Sequence, residues 1–447
     1  MRAAADQHLS AAVSPFTGIV YGVSQGMHFA NEPCLHQNSA HTAAWPRYQQ
    51  GRTRLVPFER SYEGARRLPY ARGAAHHPSV ALNSAVGEAL ERYAATHVPD
   101  LEPHPWTALN EQDAVGPTEM QVYRPEQLAT DGFPYQPWTS STKLRWAAAR
   151  RLFDGAVQTL PAQFVYLSAS LQQLPEAEPP IVEQVSSGLA CGPTFEEAAL
   201  RAVFELVERD ALMLTWLRKL SLPLLAWEDD HDCRLFITRW LRGARLTCEF
   251  VDLSGFHGIP AVLAVISGPF GNRSHLSFGS AAAATIQDAW RRSLIEALMS
   301  REWLRTRARR DLTRLSADAV ETVEAHAVYH HLIGSRARRF LLESGQRRSP
   351  LDIESVTASD PQERLRSVAQ HLHRRGIDVY LVNVTSPDVA ELGLCVVRAV
   401  APALCRINLN HRARPLGTPR LHQPAASVNP DAAGQEHRLN EEPHPFA

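Results

Sequence analysis

The stretch VSSGLACGPTFEEAALRAVFELVERDALMLTWLRKL, residues 185–220, decides how the rest of the chain is read. A Gly-containing loop opens into a long helix. Thr194 stands at the N-cap, and Glu196 and Glu197 fall in the first turn, where carboxylates meet the positive end of the helix dipole. The remainder of the helix is mostly apolar, yet Glu205, Glu208 and Arg209 are set into it. The phrase is written twice. SAVGEALERY (84–93) aligns with RAVFELVERD (201–210), because 205 − 88, 208 − 91 and 209 − 92 all give 117. Glu88, Glu91 and Arg92 therefore correspond to Glu205, Glu208 and Arg209. A third segment, AWRRSLIEALMS (289–300), keeps the register less completely: Arg292 and Glu296 match Arg201 and Glu205, while Met299 and Ser300 replace the second Glu and the Arg.

A helix turns 100° per residue, so residues spaced by four, seven and eight share a face. Ser84, Glu88 and Glu91 obey that spacing, as do Glu197, Arg201, Glu205 and Glu208, and Arg292, Glu296 and Met299. One such face is an ordinary solvated one, decorated with Glu–Arg pairs. Two copies in one register, within apolar helices, point elsewhere. Five carboxylates (Glu88, Glu91, Glu197, Glu205, Glu208) in buried helices stay ionised only if something positive meets them. Arginines are one such partner and hard divalent cations the other. Mg2+ prefers carboxylate oxygen and water and often shares phosphate oxygens, with arginines taking the remaining phosphate charge. The chain has no G-x-x-x-x-G-K-[ST], so this would be a nucleotide site made without a P-loop.

Composition narrows the class. With 447 residues the chain fits one large domain or two to three ordinary ones, and 44% hydrophobic content supports a sizeable core. A formal net charge of −1 argues against nucleic acid or acidic membrane as a partner. Six cysteines without a C-x-x-C pair make neither a zinc ribbon nor a disulfide scaffold. The 20 histidines include adjacent pairs but no H-E-x-x-H, and most read as solvated or locally bonded. No signal peptide and no transmembrane run is read, so a soluble cytoplasmic protein is expected.

Along the chain, FTGIVYGV (16–23) has β character and residues 31–56 read as a loop. A helix is expected over 79–97, with Ser79 as N-cap, then an irregular connection through the seven prolines of 98–140. FVYLSA (164–169), LTCEFVDL (246–253), IPAVLAVIS (259–267), DVYLVNVT (378–385) and LCVVRAVAP (394–402) read as strands, and 286–306 as the third helix. RTRARRDLTR (305–314) is a basic helical face. Without a clean βαβ repeat, the pattern predicts an α+β fold with a mixed or antiparallel sheet and long helices.

These residues resemble the YcaO family of ATP-dependent peptide-backbone-modifying enzymes. The matching stretches are SAVGEALERY (84–93), SSGLACGPTFEEAALRAVFELVERDA (186–211), FGSAAAATIQDAWRRSLIEALMSR (278–301) and VVRAVAPALCRINL (396–409), in the family's order. The resemblance implies an N-terminal segment 1–64, a catalytic domain 65–412 and a proline-rich tail 413–447 that reaches the active site. It implies ATP and Mg2+ as cofactors, with Glu88, Glu91, Glu197, Glu205 and Glu208 on metal and Ser84, Arg92, Arg209 and Arg292 on nucleotide. Pro193 and Met299 stand where the family usually has Asn and Gln, and Arg72 precedes Gly73 where Lys is frequent. The ending Pro443, His444, Pro445, Phe446, Ala447 is similar to that of azoline-forming members, and assigns Pro443, His444, Pro445 and Ala447 to the catalytic end. His444 alone there has a suitable unperturbed pKa for a base.

The chemistry implied is cyclodehydration of a ribosomal precursor peptide. A Cys, Ser or Thr side chain attacks the preceding carbonyl, and ATP phosphorylates the oxygen so that it leaves as phosphate, giving thiazoline or oxazoline. A ubiquitin-activating-like leader-binding partner, a flavin dehydrogenase and a homodimer are the partners such a chain would have. Rival readings are thioamide or amidine formation at the same nucleotide site, an inactive nucleotide-binding partner, and a purely structural helical repeat.

Overall fold

The computed structural model describes residues 9–14, 18–26, 33, 35–42, 70–75, 77–109, 113–167, 178–241, 243–270, 273–307, 315–333, 338–356, 358, 360–435 and 438–446. Most of the basic stretch 305–314, and Ala447, lie outside them. The longer elements are β1 (Val20–Gln25), β2 (His36–Thr42), β3 (Tyr70–Ala75), α1 (Pro78–Ala95), β4 (Trp146–Arg151), β5 (Val157–Pro161), β6 (Leu189–Gly192) and α2 (Phe195–Leu217). They continue with β7 (Thr247–Asp252), β8 (Ala261–Phe270), β9 (Arg273–Ala282), α3 (Ile286–Arg307), α4 (Val323–Ile333), α5 (Pro361–His373), β10 (Tyr380–Asn383) and β11 (Cys395–Val400). The fold is α+β, as expected from the pattern. Among the described residues, no helix is long and apolar enough to cross a membrane.

Three sheets organise the helices. β1, β2 and β3 form an antiparallel sheet. β5-β4-β10-β11-β6 form a second, antiparallel throughout. β9-β8-β7 continue into the short strands Leu224–Leu225 and Arg347–Arg348, and only the last pairing is parallel.

Strand side chains alternate between faces, and the alternation decides which helix each face receives. Val251, Leu263, Val265 and Phe278 face α2, while Phe250, Val262, Ala264 and Ile266 face α3 through Trp290 and Leu294. Leu381, Val397 and Ala399 likewise face α2, whereas Tyr380, Val382, Val396 and Val400 join the core of α1. Helix α2 is thus packed between two sheets, which explains why it is apolar nearly all round. It begins as expected: the Glu197 N–H donates to Thr194 Oγ1 at 3.2 Å.

Several expectations change. Helix α1 starts with Pro78 at its first position after His77, rather than at a Ser79 cap, because proline fits the first turn where no N–H is needed. Part of the expected loop 31–56 is β2: HQNSAHT lacks apolar alternation but pairs with β1 and β3 through its backbone. The expected strand at 164–169 is a 3-10 turn, Ala162–Phe164, closing β5; its residues 168 and 169 lie outside the described set. Its apolarity reflects burial of Phe164 and Val165, not pairing.

Candidate active site

Each repeated helix lies on the strand that precedes it, close enough to exclude a side chain between them. At Gly73 a Cβ would strike the Ala81 carbonyl and the Ala85 amide of α1; at Gly279 it would strike Ser293 and Ala297 of α3. This approach lets a helix carboxylate reach strand backbone. Glu88 Oε2 accepts the Arg72 N–H at 2.8 Å, Glu205 Oε2 the Gly188 N–H at 3.2 Å, and Glu296 Oε2 the Ser280 N–H at 2.9 Å. The second carboxylate reaches the strand of the next unit. Glu91 Oε1 accepts from the Cys191 N–H of β6 at 2.9 Å. Glu208 accepts from Ser280 Oγ at 2.6 Å and the Ala282 N–H at 3.3 Å, both on β9. In α3 Met299 holds that place, and the contact back to β2 and β3 is made instead by Glu302 with Gln37 and by Arg72 over the Trp303 ring, 5.6 Å from its centre.

The result is a line of carboxylates, Glu88–Glu91–Glu205–Glu208–Glu296, in which Glu91, Glu205 and Glu296 feel the fields of their neighbours. Burial pushes Glu91 up to about 8 and Glu205 to about 7, with repulsion from Glu205 and Glu88 adding to the first and from Glu208 to the second. Burial, then Glu208, pushes Glu296 to about 8. Arg209 faces three of them. Its side chain is 17% exposed, and its guanidinium stands 3.7 Å from Glu205 and 3.6 Å from Glu208. The three carboxylates hold its pKa above the usual arginine value despite burial.

Arg92, by contrast, pairs with Glu88 four residues before it, with 41% of its side chain exposed. Ser84 is exposed on α1, against the Gly73 backbone. Glu197 stands eight residues before Glu205, about 12 Å along the axis. Beside it Arg201 donates to the Cys191 carbonyl at 3.0 Å. Arg292 is exposed at the rim; surrounding protein, then repulsion from Arg201, lowers its pKa. Arginines therefore flank a carboxylate line at the α2–α3 boundary.

These residues fit Mg2+ and a polyphosphate. Among the described residues no three carboxylate, His or Cys groups converge to hold a metal by protein ligands alone. Mg2+ completed by phosphate oxygens and water needs only one or two carboxylates. The Arg209 guanidinium brings positive charge for a phosphate beside these carboxylates, its Nε paired loosely with Glu205 Oε1 at 3.7 Å.

The C-terminal segment is built into the protein. Phe446 is 3% exposed and packs edge-on against Trp216 of α2 and Phe278 of β9. Phe278 and Ser280 share a face of β9, so the tail ends beside the strand that binds Glu208. Pro443, His444 and Pro445 are buried with it. For His444 the premise of an unperturbed pKa is corrected: burial, then repulsion from His326, holds it well below the ordinary value, and Nε2 donates to the Asn408 carbonyl at 2.7 Å.

Sequence reading missed two further features. Asp210, fully buried next to Arg209, accepts from His257 Nε2 at 2.8 Å and from the Cys405 N–H at 2.6 Å, and forms an ion pair with Arg420 at 3.1 Å. It ties three separate segments to α2. Beside it, Arg209, Arg398 and Arg406 line a cleft with Met120, Leu206 and Leu404. Arg398 donates to the carbonyls of Phe164 and Val185, and burial lowers its pKa to about 9. The VVRAVAPALCRINL match was the available signal for this cleft; nothing local marked Asp210.

Comparison with known proteins identifies the family and the fold. The family model described as YcaO cyclodehydratase, ATP- and Mg2+-binding, matches residues 72–405. The chain belongs to the YcaO family, ATP-dependent enzymes whose cofactors are ATP and Mg2+. An uncharacterized protein in the tfuA 3′ region of Rhizobium leguminosarum bv. trifolii is 28% identical over 277 residues, 59% of this chain and 61% of the relative. A heterocyclase solved in complex with substrate and cofactor superimposes with a TM-score of 0.79 at 20% identity, over 99% of this chain and 57% of that one. YcaO from Methanopyrus kandleri, bound with AMPPCP and Mg2+, gives 0.56 at 18% identity, over 88% of each chain. The chain thus spans less than two thirds of the length of the first two.

Proposed function

We propose that this chain is an ATP-dependent cyclodehydratase that converts Cys, Ser or Thr residues of a ribosomal precursor peptide to thiazoline or oxazoline. The observation that carries the reading is the juxtaposition of the carboxylate line and Arg209 with an ordered, buried PHPF ending beside β9. In this reading Glu88, Glu91, Glu197, Glu205 and Glu208 hold Mg2+, and Ser84, Arg92, Arg209 and Arg292 hold nucleotide. Glu296, in the first-Glu place of the third unit, joins the metal-facing line. Bound Mg2+ would offset the charge on the transferring phosphoryl group. Arg209 would supply positive charge and hydrogen-bond donors to the phosphate oxygens. The buried helices around the line exclude water, which strengthens each of these contacts.

We further propose that residues 65–412 carry catalysis, that 413–447 serve as the tail that completes the site, and that the chain works in the cytoplasm. The peptide substrate, a leader-binding partner, a flavin dehydrogenase acting after it and a homodimeric state belong to the same proposal. The test is incubation of the chain, ATP and Mg2+ with Cys-, Ser- or Thr-containing precursor peptides, with partner added. Loss of one water per ring by mass spectrometry, with matched phosphate release, is the expected result. Replacement of oxygen by sulfur, or nucleotide binding without peptide change, would favour the rival readings.

A further inference from the structure

A proline-rich segment is hard to hold. Pro443 and Pro445 have no N–H, so the tail cannot pair as a strand and offers its receptor chiefly carbonyl oxygens. The protein answers with side-chain donors. His330 Nε2 donates to the Pro443 carbonyl at 2.6 Å, and Trp216 Nε1 to the Glu442 carbonyl at 3.0 Å. His326 turns its two ring nitrogens to the His444 carbonyl at 2.9 Å and the Leu409 carbonyl at 2.8 Å. As a neutral ring it donates to one of them, and as an imidazolium to both. Its ring also stacks on His444, centre to centre 3.8 Å. Tyr329 OH donates to the Glu442 carboxylate at 2.5 Å. His326, Tyr329 and His330 fall on one face of α4, three and four residues apart.

We propose that His326 and His330 are positioning residues: they grip the tail by its backbone carbonyls and so set its end beside the β9 strand that binds Glu208. The inference rests on the proposed function for its catalytic consequence, but not for the docking itself. Burial lowers both pKa values to about 4, so the rings are neutral at physiological pH and no charge is desolvated; His326 then grips the tail with its hydrogen on Nδ1, facing the His444 carbonyl. Side chains add to the carbonyl-directed grip: Phe446 in its box of Trp216 and Phe278, His444 stacked on His326, and Glu442 on Tyr329.

The experiment is hydrogen exchange of the Asn440 and Glu442 amides in the full chain, in wild type, His326→Ala/His330→Ala, His326→Gln/His330→Gln and Tyr329→Phe. The Asn440 amide bonds to the Leu217 carbonyl of α2 only while the tail is seated, and the Glu442 amide bonds to the Asn440 side chain, which seating fixes against the Trp216 carbonyl. Wild type should protect them. The Ala pair should lose that protection by at least about tenfold, while the Gln pair, whose amides still donate to carbonyls, should recover most of it. Tyr329→Phe, which opens no cavity, should weaken protection less, and it reads the same groove if the Ala pair does not fold. Calorimetry should show Mg2+-ATP binding retained in all folded variants, with kcat for azoline formation falling and KM for ATP constant in the Ala pair. Amides exchanging in wild type at unstructured rates, or protection surviving the Ala pair, would overturn the proposal. Docking that behaves as stated while wild type modifies no peptide would instead count against the proposed function alone.

Discussion

Helices α1 and α2 carry the same phrase 117 residues apart, and the protein uses it differently. On α1 Arg92 is half open to solvent and pairs with the Glu88 of its own turn. On α2 Arg209 is enclosed and shared among Glu205, Glu208 and Glu296, with Asp210 behind it tying down three segments. At the position equivalent to Asp210, α1 has Tyr93, whose hydroxyl meets Asp388. The difference comes from layering: α2 lies between two sheets, which enclose Arg209 and Asp210 while Arg92 stays open to water. A sequence repeat therefore copies geometry without copying electrostatics.

The largest expected effect is at Asp210. Asp210→Ala leaves His257, Arg420 and the Cys405 N–H unanswered in the interior, and should cost about 3–5 kcal/mol in chemical denaturation. Tyr93→Phe, its counterpart on α1, should cost about 1 kcal/mol, the worth of one hydrogen bond. Equal losses at the two positions would erase the distinction between the helices.

Next is ligand binding. Arg209→Ala should weaken Mg2+-ATP by roughly 100-fold, about 2.7 kcal/mol, whereas Arg92→Ala should weaken it less. An ordering in which Arg92 matters more would move the centre of the site to α1.

The third is pH. Glu91, Glu205 and Glu296 have folded-state pKa values of about 8, 7 and 8, above the ordinary 4.5. The folded chain then holds more protons than the unfolded one between those limits. The contribution of these groups is complete below about 4.5 and is lost as pH rises through 7–8. The urea midpoint of the ligand-free protein should decline over that range, and Glu91→Gln should flatten the decline. Mg2+-ATP should bind more tightly as the protons leave. A wild-type curve that rises with pH and is unchanged in Glu91→Gln would contradict the burial of this line.

The smallest effect is the stability cost of Arg92→Ala. An ion pair this exposed contributes less than about 1 kcal/mol, and added salt should erase it. A cost approaching that of Asp210→Ala would show that α1 is as enclosed as α2.

Much of this was legible in the sequence. The 3.6-residue spacing of Glu88, Glu91, Glu205 and Glu208 within apolar surroundings placed the carboxylates on one face of each helix, and Thr194 marked where α2 begins. The α+β class followed from element order. What stayed hidden depends on contacts distant along the chain. The polar β2 becomes a strand because β1 and β3 complete its hydrogen bonds. FVYLSA looked like a strand because burial and pairing leave the same apolar signature. His326 and His330 lie more than 100 residues before the tail carbonyls of His444 and Pro443, so no spacing rule connects them. Composition alone would have made the tail disordered; its order comes from donors on α2 and α4.

The proposed function makes the second copy of the phrase, on α2, the heart of a metal-dependent nucleotide site. The decisive measurement is titration calorimetry of ATP into the wild-type chain and Arg209→Ala, each with Mg2+ and with a chelator. Wild type should bind only with Mg2+, and Arg209→Ala should lose that binding while its circular dichroism is unchanged. ATP binding that ignores the chelator, or that survives Arg209→Ala undiminished, would contradict a site centred on α2.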